Sequence, residues 1–528
     1  MTLTDVGNDD TNDTPAVFFN VGRMVVDQAT AQGDKTAIVC NEQRIKWSDF
    51  GKRVKQAANA LISLGVGPGD KVAVLAASSP AYVEMFIGTL CTGACVVPLS
   101  GMASAEQLEV MINDSDSKVL LVSEKMRDLA MDFADRLDGI VPGGLIAADF
   151  AADGWADYQT WRDAADDQMP DIEIDPKFGF NLIYSSGTTG VPKGILQSHG
   201  MRSFHVERFS ASGIDETAIS LVSTPFYSNT TLVVAIPTLA LGGTIVLMDK
   251  FDAGKFLQLA ETEKTNVAML VPVQYRRVLD HPDFDKTDLS NFAVKYSTSA
   301  PLRAGIKREI VERWPGTLNE VYGLTEGGGS TILSCTEHPD KLDSVGVPAE
   351  SSDIRIIDND GVEVGQGEIG EVVGRSEGMM LGYYKRQDLT DDMLWQSPEG
   401  RTFFRTGDMG RFDEDGFLFL LDRIKDMIIS GGFNIYAADL EAVLTKHDGV
   451  DDIAVIGVPS DAWGETPLGL VVKSPASTAT EADLLAWANE RLGKAQRLSA
   501  IEFRDILPRS TIGKILKREL RAPYWKDI

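Results

Sequence analysis

A loop rich in hydroxyl groups and glycine near residue 190 could bind phosphate. It spans 184–194, reads YSSGTTGVPKG, and follows the apolar run Phe178–Tyr184, which predicts a buried strand. Glycines let backbone N–H groups approach a ligand, hydroxyls donate hydrogen bonds, and a lysine adds positive charge. The sequence therefore predicts a polyphosphate-binding loop that contains Ser185, Ser186, Gly187, Thr188, Thr189, Gly190 and Lys193.

Two other interpretations of this loop are weaker. A flexible connector has a similar composition, but most connectors do not place a Pro-Lys pair directly after a buried strand. A Walker A loop needs Gly, four residues and then Gly-Lys-Ser/Thr, and here Lys193 follows Pro192. The other Gly-Lys pair, Gly513-Lys514, is followed by Ile515. The loop therefore does not fit the Walker A pattern.

Four more segments follow in a fixed order: YGLTE at 322–326, RTGD at 405–408, DRIKDMIISGGFNIY at 422–436 and PRSTIGK at 508–514. With the loop, they make the chain resemble the adenylate-forming superfamily, and within it the acyl-CoA synthetases, from about residue 35 to about residue 521. The resemblance implies that ATP and a carboxylic acid give an acyl-adenylate and pyrophosphate, and that CoA then displaces AMP. Such catalysis depends on neutralising charge and positioning substrates.

The resemblance implies the central roles. Lys514 would contact the substrate carboxylate and the α-phosphate, and Thr325 would touch phosphate. Glu326 would bind Mg²⁺, which commonly takes few protein carboxylates together with phosphate oxygens. Without the motifs, Lys514 would be an ordinary solvated lysine and Glu326 an acid at the start of a helix.

The nucleotide would be held by positions in three motifs. Tyr322 would stack near adenine, and Asp408 would bind the ribose hydroxyls with help from Arg423. Lys425 matches the hinge about which a C-terminal lid turns. The remaining ATP-binding positions that the resemblance implies are Gly323, Ser299, Ala300 and Pro301.

A second set of residues would serve CoA. In the segment SGGFN at 430–434, two glycines beside an aromatic residue suggest close approach of a ligand to the backbone, or a tight hairpin. By resemblance this loop borders the pantetheine tunnel, and the segment Trp463-Gly464-Glu465 also borders CoA, although a tryptophan is more often a core residue. The implied CoA-binding residues are Ser430, Gly431, Gly432, Phe433 and Trp463.

Three departures from the family pattern concern the acyl pocket. Ser228 stands where acyl-CoA synthetases often have His, 297–301 reads STSAP where Gly-Gly-Ala-Pro is usual, and Gly327–Gly329 follow YGLTE. No Asp is placed to bind the ammonium of an amino acid, so we expect an apolar or aromatic acid. The expected pocket residues are His205, Phe209, Tyr227, Ser228, Gly327 and Gly328.

Composition bears on the partners of the chain and on its location. The net charge of −28 argues against a nucleic-acid partner, and no run of eighteen apolar residues predicts a membrane span. The four cysteines form no CxxC pair and fit a reducing, cytoplasmic environment. The polar, acidic start is not a signal peptide and predicts a disordered tail over 1–14. A homodimer is among the oligomeric states that the sequence allows.

The elements predict an α/β fold. Strands over Asp70–Ala76, Ala94–Leu99, Lys118–Ser123 and Ile219–Pro225 alternate with helices, which indicates βαβ units and largely parallel sheets. Beyond Ser352 the pattern becomes antiparallel, as in a barrel or meander. We expect a large N-terminal adenylation domain over 15–421, with two sheets and a small β-barrel, and an α+β C-terminal lid over 422–528.

Other functions remain open at this point. An adenylate-forming enzyme could deliver its acyl group to a carrier protein or another acceptor, although no carrier domain follows Ile528. A luciferase-like oxygenase is another rival within the superfamily. A nucleotide sensor without catalysis would be expected to lack Lys514 or Glu326, and a kinase or P-loop ATPase would release ADP instead of AMP.

Overall fold

The computed structural model describes residues 18–185, 193–423, 426–430, 433–460, 463–493, 496–510 and 513–525. They form four β-sheets with helices packed against them. Two large sheets, mainly parallel, come from the N-terminal part of the chain, and two smaller ones follow. The predicted α/β class is confirmed, because strands and helices alternate where the sequence indicated βαβ units.

The first large sheet has eight strands with a parallel centre. The strand predicted before the phosphate loop is observed at Gly179–Ser185. In spatial order the strands are Gly382–Tyr383, Lys193–Ser198, Gly179–Ser185, Cys95–Pro98, Lys71–Leu75, Ser117–Val122, Leu145–Ala147 and Ala156–Asp157. The helices of this part are Trp47–Ser63, Pro80–Cys91, Ala105–Asp114, Arg127–Met131 and Tyr158–Asp163.

The second large sheet has nine strands. Its central pairs are parallel, and its edges end in antiparallel pairs. In spatial order the strands are Val347–Pro348, Gly327–Ser334, Thr317–Leu324, Val294–Ser297, Val267–Leu270, Ile219–Val222, Thr244–Leu247, Thr36–Cys40 and Gln43–Lys46. The accompanying helices are Val21–Ala31, His199–Ala211, Asn229–Ala240, Ala253–Thr262, Pro272–Leu279 and Ala304–Arg313.

The two large sheets share one hydrophobic core. Val72 of the first sheet and Ile245 of the second belong to the same buried cluster, together with Phe86 and Leu61 from helices. The helix that carries Phe86 is buried from its third residue to its end, which explains why it is apolar around its circumference. Helix starts follow the expected chemistry: Ser104 and Gln107 form the predicted capping box.

The third sheet is antiparallel, as predicted, and has five strands. Its described strands pair as an open sheet, in which the long strand Thr402–Phe412 pairs with three neighbours. The other strands are Asp353–Ile357, Gly370–Arg375, Leu394–Gln396 and Leu418–Arg423, and the helix Gln387–Asp392 lies between two of them in the chain.

The C-terminal sheet has its own core. Leu440, Val455, Leu484 and Ile501 belong to one buried cluster whose members all lie beyond residue 427. The predicted division at Asp422 stays a prediction, and the strand Leu418–Arg423 runs across that position. The strands here are Ile428–Ser430, Phe433–Ile435, Val450–Ser460, Gly464–Lys473 and Ala500–Phe503, and the helices are Ala437–Leu444, Glu481–Arg491 and Lys517–Arg521.

Short 3₁₀ turns complete the elements, at Glu124–Met126, Ala134–Arg136, Phe284–Lys286 and Ala522–Tyr524. Among the described residues, no helix has the length and apolar character needed to cross a membrane.

Candidate active site

The carboxyl ends of neighbouring parallel strands bring two predicted motifs together. Val267–Leu270, Val294–Ser297 and Thr317–Leu324 run side by side in parallel. The adenine-side residues Ser299, Ala300 and Pro301 follow the second strand, and Thr325-Glu326 follow the third. Open parallel sheets bind ligands at this edge, so the topology places both motifs where a nucleotide would be held.

The predicted phosphate loop closes a β-hairpin. Ser185 and Lys193 are Cα partners in an antiparallel pair, and the loop joins them. Ser186, Gly187, Thr188, Thr189 and Gly190 lie outside the described residues. Lys193 is half-buried, with its Nζ 5.3 Å from the centroid of the Tyr383 ring. The lysine therefore stands at the base of the loop against an aromatic face.

Glu326 lies in a tight turn between the antiparallel strands Thr317–Leu324 and Gly327–Ser334. The interpretation of Glu326 as a helix-start acid is therefore wrong, because the chain reverses there into a second strand. The Tyr383 hydroxyl donates a 3.0 Å hydrogen bond to Glu326 Oε1. Gln197 Nε2 donates to the Thr325 carbonyl at 2.6 Å. The turn is thus held from two sides by residues that the sequence did not single out.

The Glu326 carboxylate fits the donor chemistry of a Mg²⁺ site. The Tyr383 bond engages only one of its oxygens, and a carboxylate has acceptor sites to spare. Within the part of the chain that the structure describes, no group of three or more His, Cys, Asp or Glu could hold a metal ion. An ion here would therefore take its other ligands from phosphate oxygens and water, as Mg²⁺ commonly does.

Asp408 joins three of the motifs. The Tyr322 hydroxyl donates to Asp408 Oδ2 at 2.8 Å, and Arg423 Nε lies 2.7 Å from Asp408 Oδ1. Burial and the adjacent Asp408 hold the pKa of Tyr322 well above its ordinary value, so the phenol stays protonated and donates. The contacts bring Tyr322, Asp408 and Arg423 together, as the predicted nucleotide site requires.

The rest of the RTGD motif supports Asp408. Arg405 pairs with the buried Glu371, and the Thr406 hydroxyl donates to the Val372 carbonyl at 2.7 Å. Thr406 Oγ1 in turn accepts from the Asp408 backbone N–H at 3.0 Å. These contacts fix the backbone from which the Asp408 carboxylate projects.

The adenine-side loop, 297–301, has a serine at a backbone position that favours glycine. Ser299 has a φ of 75°, a region that favours glycine. Its hydroxyl lies 2.6 Å from the Thr230 hydroxyl on the helix Asn229–Ala240. Three residues further on, the Leu302 N–H donates to Glu320 Oε1 at 2.9 Å, and Glu320 forms a buried ion pair with Lys307. The loop is therefore anchored at both ends.

The expected acyl-pocket residues lie on elements that touch this loop. Ser228 is buried and precedes the helix Asn229–Ala240, and Tyr227 is half-buried beside it. His205 and Phe209 lie on the helix His199–Ala211, where the Phe209 ring packs 5.3 Å from Tyr296. Burial and two nearby arginines, Arg202 and Arg208, lower the pKa of His205 well below its ordinary value, so its imidazole is neutral at pH 7.

Gly327 and Gly328 lie against backbone. Both have φ above 80°, and a Cβ on Gly327 would lie 1.9 Å from the Gly378 carbonyl oxygen. A Cβ on Gly328 would lie 2.7 Å from Phe404 Cβ. Close approach of two chain segments and positive φ both require glycine here.

The predicted CoA residues come from adjacent strands. Ser430 pairs with Gly464, so Trp463 lies beside the strand Ile428–Ser430. Trp463 is 60% exposed, so it is not a core residue. Lys425, Gly431 and Gly432 lie outside the described residues, and the backbone of Phe433 begins the strand Phe433–Ile435.

Lys514 lies in a hairpin-like loop that touches the large N-terminal part. Its backbone N–H donates to Ser510 Oγ at 3.2 Å, and its carbonyl accepts from the Ser510 N–H at 2.7 Å. A Cβ on the preceding Gly513 would lie 2.6 Å from Val273 Cγ1. Val273 follows the strand Val267–Leu270, so Lys514 is near the sheet edge that carries the nucleotide motifs.

Family models account for most of the chain. A model described as AMP-binding enzyme matches residues 25–384, and one described as AMP-binding enzyme C-terminal domain matches residues 439–514. This chain belongs to the AMP-binding enzyme family. The matches include the phosphate loop, the Thr325-Glu326 turn and Lys514.

Similar proteins show to which branch of the AMP-binding family the chain is related. The chain is 34% identical to a feruloyl-CoA synthase of Amycolatopsis sp, over 96% of this chain and 99% of the relative. It is 31% identical to the long-chain-fatty-acid–CoA ligase FadD13 of Mycobacterium tuberculosis, over 96% of this chain and 98% of the relative. The predicted resemblance to the adenylate-forming superfamily and its acyl-CoA synthetase branch is confirmed, as is the expectation of an ATP-dependent, AMP-forming ligase.

A solved structure of this family shows the same fold. ATP-bound MatB from Rhodopseudomonas palustris superposes with a TM-score of 0.87 at 27% identity, over 97% of this chain and 99% of that one. Apo MatB from the same organism, at 28% identity and the same coverage, gives 0.76. The large N-terminal part and smaller C-terminal part are thus confirmed, and the arrangement is more similar to the ATP-bound form.

Proposed function

We propose that this member of the AMP-binding family is an acid:CoA ligase. It activates an apolar or aromatic carboxylic acid with ATP and then transfers the acyl group to CoA. The observation that carries this proposal is the convergence of Tyr322, Asp408 and Arg423 beside the Thr325-Glu326 turn. Such a site holds substrates and offsets charge, which suits adenylation of a carboxylate.

In the first half-reaction a carboxylate oxygen attacks the α-phosphorus of ATP, and pyrophosphate leaves. Tyr322 contacts the adenine, and Asp408 accepts hydrogen bonds from the ribose hydroxyls while Arg423 and the Tyr322 hydroxyl hold its position. The phosphate loop from Ser185 to Lys193 binds the phosphates. Lys514 offsets the repulsion between the carboxylate and the α-phosphate as they approach.

Glu326 would hold Mg²⁺ at this site, and Thr325 would contact phosphate. When bound, the ion neutralises phosphate charge and improves pyrophosphate as a leaving group. Tyr383 orients the Glu326 carboxylate through its hydrogen bond to Oε1. Burial raises the pKa of Tyr383, so the Tyr383 hydroxyl stays protonated and donates. This orientation leaves the other carboxylate oxygen available for a ligand.

In the second half-reaction the CoA thiol attacks the acyl carbonyl, and AMP leaves. The strands that carry Ser430 and Gly464 form the approach for pantetheine, with the exposed Trp463 at their side. Gly431, Gly432 and Phe433 are also proposed to bind CoA. Lys425 acts as the hinge about which the C-terminal lid rotates between the two half-reactions.

The proposed acid is apolar or aromatic. His205 is neutral at pH 7, and Phe209, Tyr227 and Ser228 bring no charge to the pocket. The two relatives described above act, by their names, on a ferulic acid and on long-chain fatty acids, which fit the same description. All four cysteines are free and buried, which supports a cytoplasmic location.

The test uses the full chain with ATP, Mg²⁺, CoA and a panel of hydroxycinnamic acids and fatty acids of graded length. Chromatography quantifies AMP, ADP, pyrophosphate and acyl-CoA for each acid. We expect equal amounts of AMP and acyl-CoA, and acyl-adenylate with pyrophosphate when CoA is omitted. Formation of ADP would contradict the proposal, and acyl-adenylate that never reaches CoA would move the chain to another acceptor.

A further inference from the structure

Arg202 is a buried cation surrounded by neutral groups. It lies on the helix His199–Ala211, and only 1% of its surface is exposed. Among the described residues, its hydrogen-bond partners are all amide or imidazole groups. Burial lowers the pKa of Arg202 to about 9, so the side chain remains charged at pH 7. Burying a charge without a carboxylate partner is unfavourable, and a purely structural position would avoid that cost.

The guanidinium of Arg202 divides its donors among three elements. Nε donates to Asn181 Oδ1 at 3.0 Å, on the strand before the phosphate loop. Nη2 donates to Gln197 Oε1, on the strand after that loop, and at 2.7 Å to Asn229 Oδ1, beside Ser228. One side chain thus connects both strands of the phosphate hairpin with the start of the helix next to the proposed acyl pocket.

These bonds fix which way the Gln197 amide points. Its Oε1 accepts from Arg202 and, at 2.8 Å, from Asn181 Nδ2, so its Nε2 faces the other way. That Nε2 donates to the Thr325 carbonyl at 2.6 Å. Gln197 is fully buried, which removes water as an alternative partner. The position of the Thr325-Glu326 turn is therefore linked to Arg202 through a single amide.

Another buried arginine shows the contrast. Arg162 has a similarly low exposure, but it contacts Glu84 at 2.6 Å and Asp163 at 2.7 Å. Its bonds connect helices of the first sheet and reach none of the proposed site residues named above. Arg162 is thus a matched structural cation against which the role of Arg202 can be measured.

We propose that Arg202 is a positioning residue for the adenylation half-reaction. It orients Gln197, which holds the Thr325-Glu326 turn, and it holds Asn229 beside the acyl pocket. This inference rests on the proposed function. The position of the bound acid relative to the Thr325-Glu326 turn is thereby fixed, because both the acyl pocket and the turn are held by the Arg202 guanidinium.

The experiment compares Gln197→Glu, Arg202→Met and Arg162→Met with the unaltered chain. Gln197→Glu gives Arg202 an ionic partner but places a carboxylate oxygen against the Thr325 carbonyl. Adenylation is measured by pyrophosphate release without CoA, and thioester formation is measured from supplied acyl-adenylate. Thermal unfolding reports stability for each variant.

Gln197→Glu should keep the wild-type melting temperature or raise it, yet slow adenylation on the order of 10-fold or more, because small displacements at a reacting centre are costly. Arg202→Met should slow adenylation at least as much, with KM for the acid raised. Thioester formation should change by less than about 2-fold in both, since it needs no metal-binding turn. Arg162→Met should lower the melting temperature and leave the rates of folded enzyme unchanged.

Unchanged adenylation in Gln197→Glu would overturn the inference, and so would equal losses in both half-reactions. If Arg202→Met does not fold, Gln197→Glu alone decides, because it keeps the cation paired. Failure of the unaltered chain to form any acyl-adenylate would instead refute the proposed function, and that outcome is seen before any variant is compared.

Discussion

We propose that Lys514 is the residue at which charge matters most for the first half-reaction. It is exposed, while its backbone is held by Ser510 and the preceding glycine touches Val273. Its charge is therefore presented from a fixed loop close to the nucleotide motifs. In a molecule of net charge −28, each fixed cation at an anionic substrate site has a large effect on local potential.

We expect Lys514→Ala to slow adenylation on the order of 10²-fold or more, because a preorganised charge in the transition state is lost. Thioester formation from supplied acyl-adenylate should continue. Pyrophosphate release and acyl-CoA formation measure the two steps. The matched control is Lys446→Ala, an exposed lysine in the same part of the chain, which should alter neither rate. Equal loss in both steps would indicate a structural role for Lys514.

His199 makes stability depend on pH. It is fully buried at the start of the helix His199–Ala211, its ring packs edge-on 5.1 Å from Phe180, and burial lowers its pKa to about 4. Because the pKa of an unfolded histidine is about 6.5, the unfolded chain takes up a proton first as pH falls. Stability from this group is therefore complete above pH 6.5 and is lost as pH falls towards 4.

The expected contribution of His199 between pH 7 and pH 5 is about 2 kcal/mol of unfolding free energy. Denaturant unfolding at both pH values measures it. His199→Phe, which keeps an aromatic ring beside Phe180, should show a smaller loss of stability over this interval than the unaltered chain. An identical loss in both proteins would show that His199 is not the titrating group.

At the scale of elements, the hairpin after the Glu326 turn depends on its glycines. The glycines Gly327–Gly329 could provide space for the acyl group, as the sequence predicts, or they could serve backbone conformation. All three have positive φ, and Gly374 and Gly378 approach them so closely that added Cβ atoms would meet backbone oxygen. The structure favours the backbone account for this segment.

We expect Gly328→Val to lower kcat/KM for all acids together and to reduce stability by about 2 kcal/mol or more, because a branched residue is strained at positive φ and would meet Phe404. A chain-length series of acids and a melting curve test this. Gly305→Val, at an exposed helical glycine with open space around it, is the control. Selective loss of long acids with normal stability would restore the space-filling account.

A second element, the strand pair of Ser430 and Gly464, presents Trp463 to solvent. We expect Trp463→Ala to raise KM for CoA on the order of 10-fold through loss of aromatic contact, with stability and pyrophosphate release unchanged. Steady-state kinetics at varied CoA concentration measure the change. Ile506→Ala, also exposed in this part of the chain, should leave KM for CoA unaltered. A Trp463 variant with normal KM would place CoA elsewhere.

Much of this organisation could be predicted from the sequence, because it rests on local signals. Apolar runs gave the strands Lys71–Leu75 and Gly179–Ser185, and the Ser104 capping box gave a helix start. Motif order predicted roles for Glu326, Asp408 and Lys514, and these roles stay predictions. The alternative role of Glu326 as an acid at the start of a helix was wrong, since the chain reverses there and Gly327 packs against Gly378.

Contacts between distant segments could not be predicted in the same way. Tyr383 reaches Glu326 across 57 positions, and Gln197 reaches Thr325 across 128. Nothing in the local pattern of either residue marks its partner, because the sheet order alone brings them together. The buried Arg202 was missed for the same reason: its partners on other elements lie on two strands and one helix.

At the scale of the whole molecule, two contacts connect the C-terminal part with the large N-terminal part. Gly513 approaches Val273, and Arg303 Nη2 lies 3.9 Å from Asp452 Oδ1 across the same boundary. The overall arrangement is more similar to ATP-bound MatB than to its apo form. We therefore interpret it as the arrangement for adenylation, from which the C-terminal part must move before CoA can react.

A reversible cross-link can test this movement. A Cβ on Gly513 would lie 3.4 Å from Val273 Cβ. The two Cβ atoms of a disulfide are roughly 3.5–4.5 Å apart, so this distance is close to the one required. The native cysteines Cys40, Cys91 and Cys95, like Cys335, are buried and free, so they should not compete for oxidation. The double variant Val273→Cys with Gly513→Cys therefore offers one accessible pair across the boundary.

When oxidised, the double variant should still release pyrophosphate and accumulate acyl-adenylate, while acyl-CoA formation should fall on the order of 10²-fold. Reduction by dithiothreitol should restore transfer to the level of the reduced Gly513→Cys single variant. That single variant accounts for strain from a side chain at the φ of 77° observed for Gly513. Oxidised enzyme that forms acyl-CoA at the reduced rate would show that no movement is needed, because a closed cross-link leaves the C-terminal part no freedom to rotate. Oxidised enzyme that transfers from supplied acyl-adenylate but cannot adenylate would assign this arrangement to the second step.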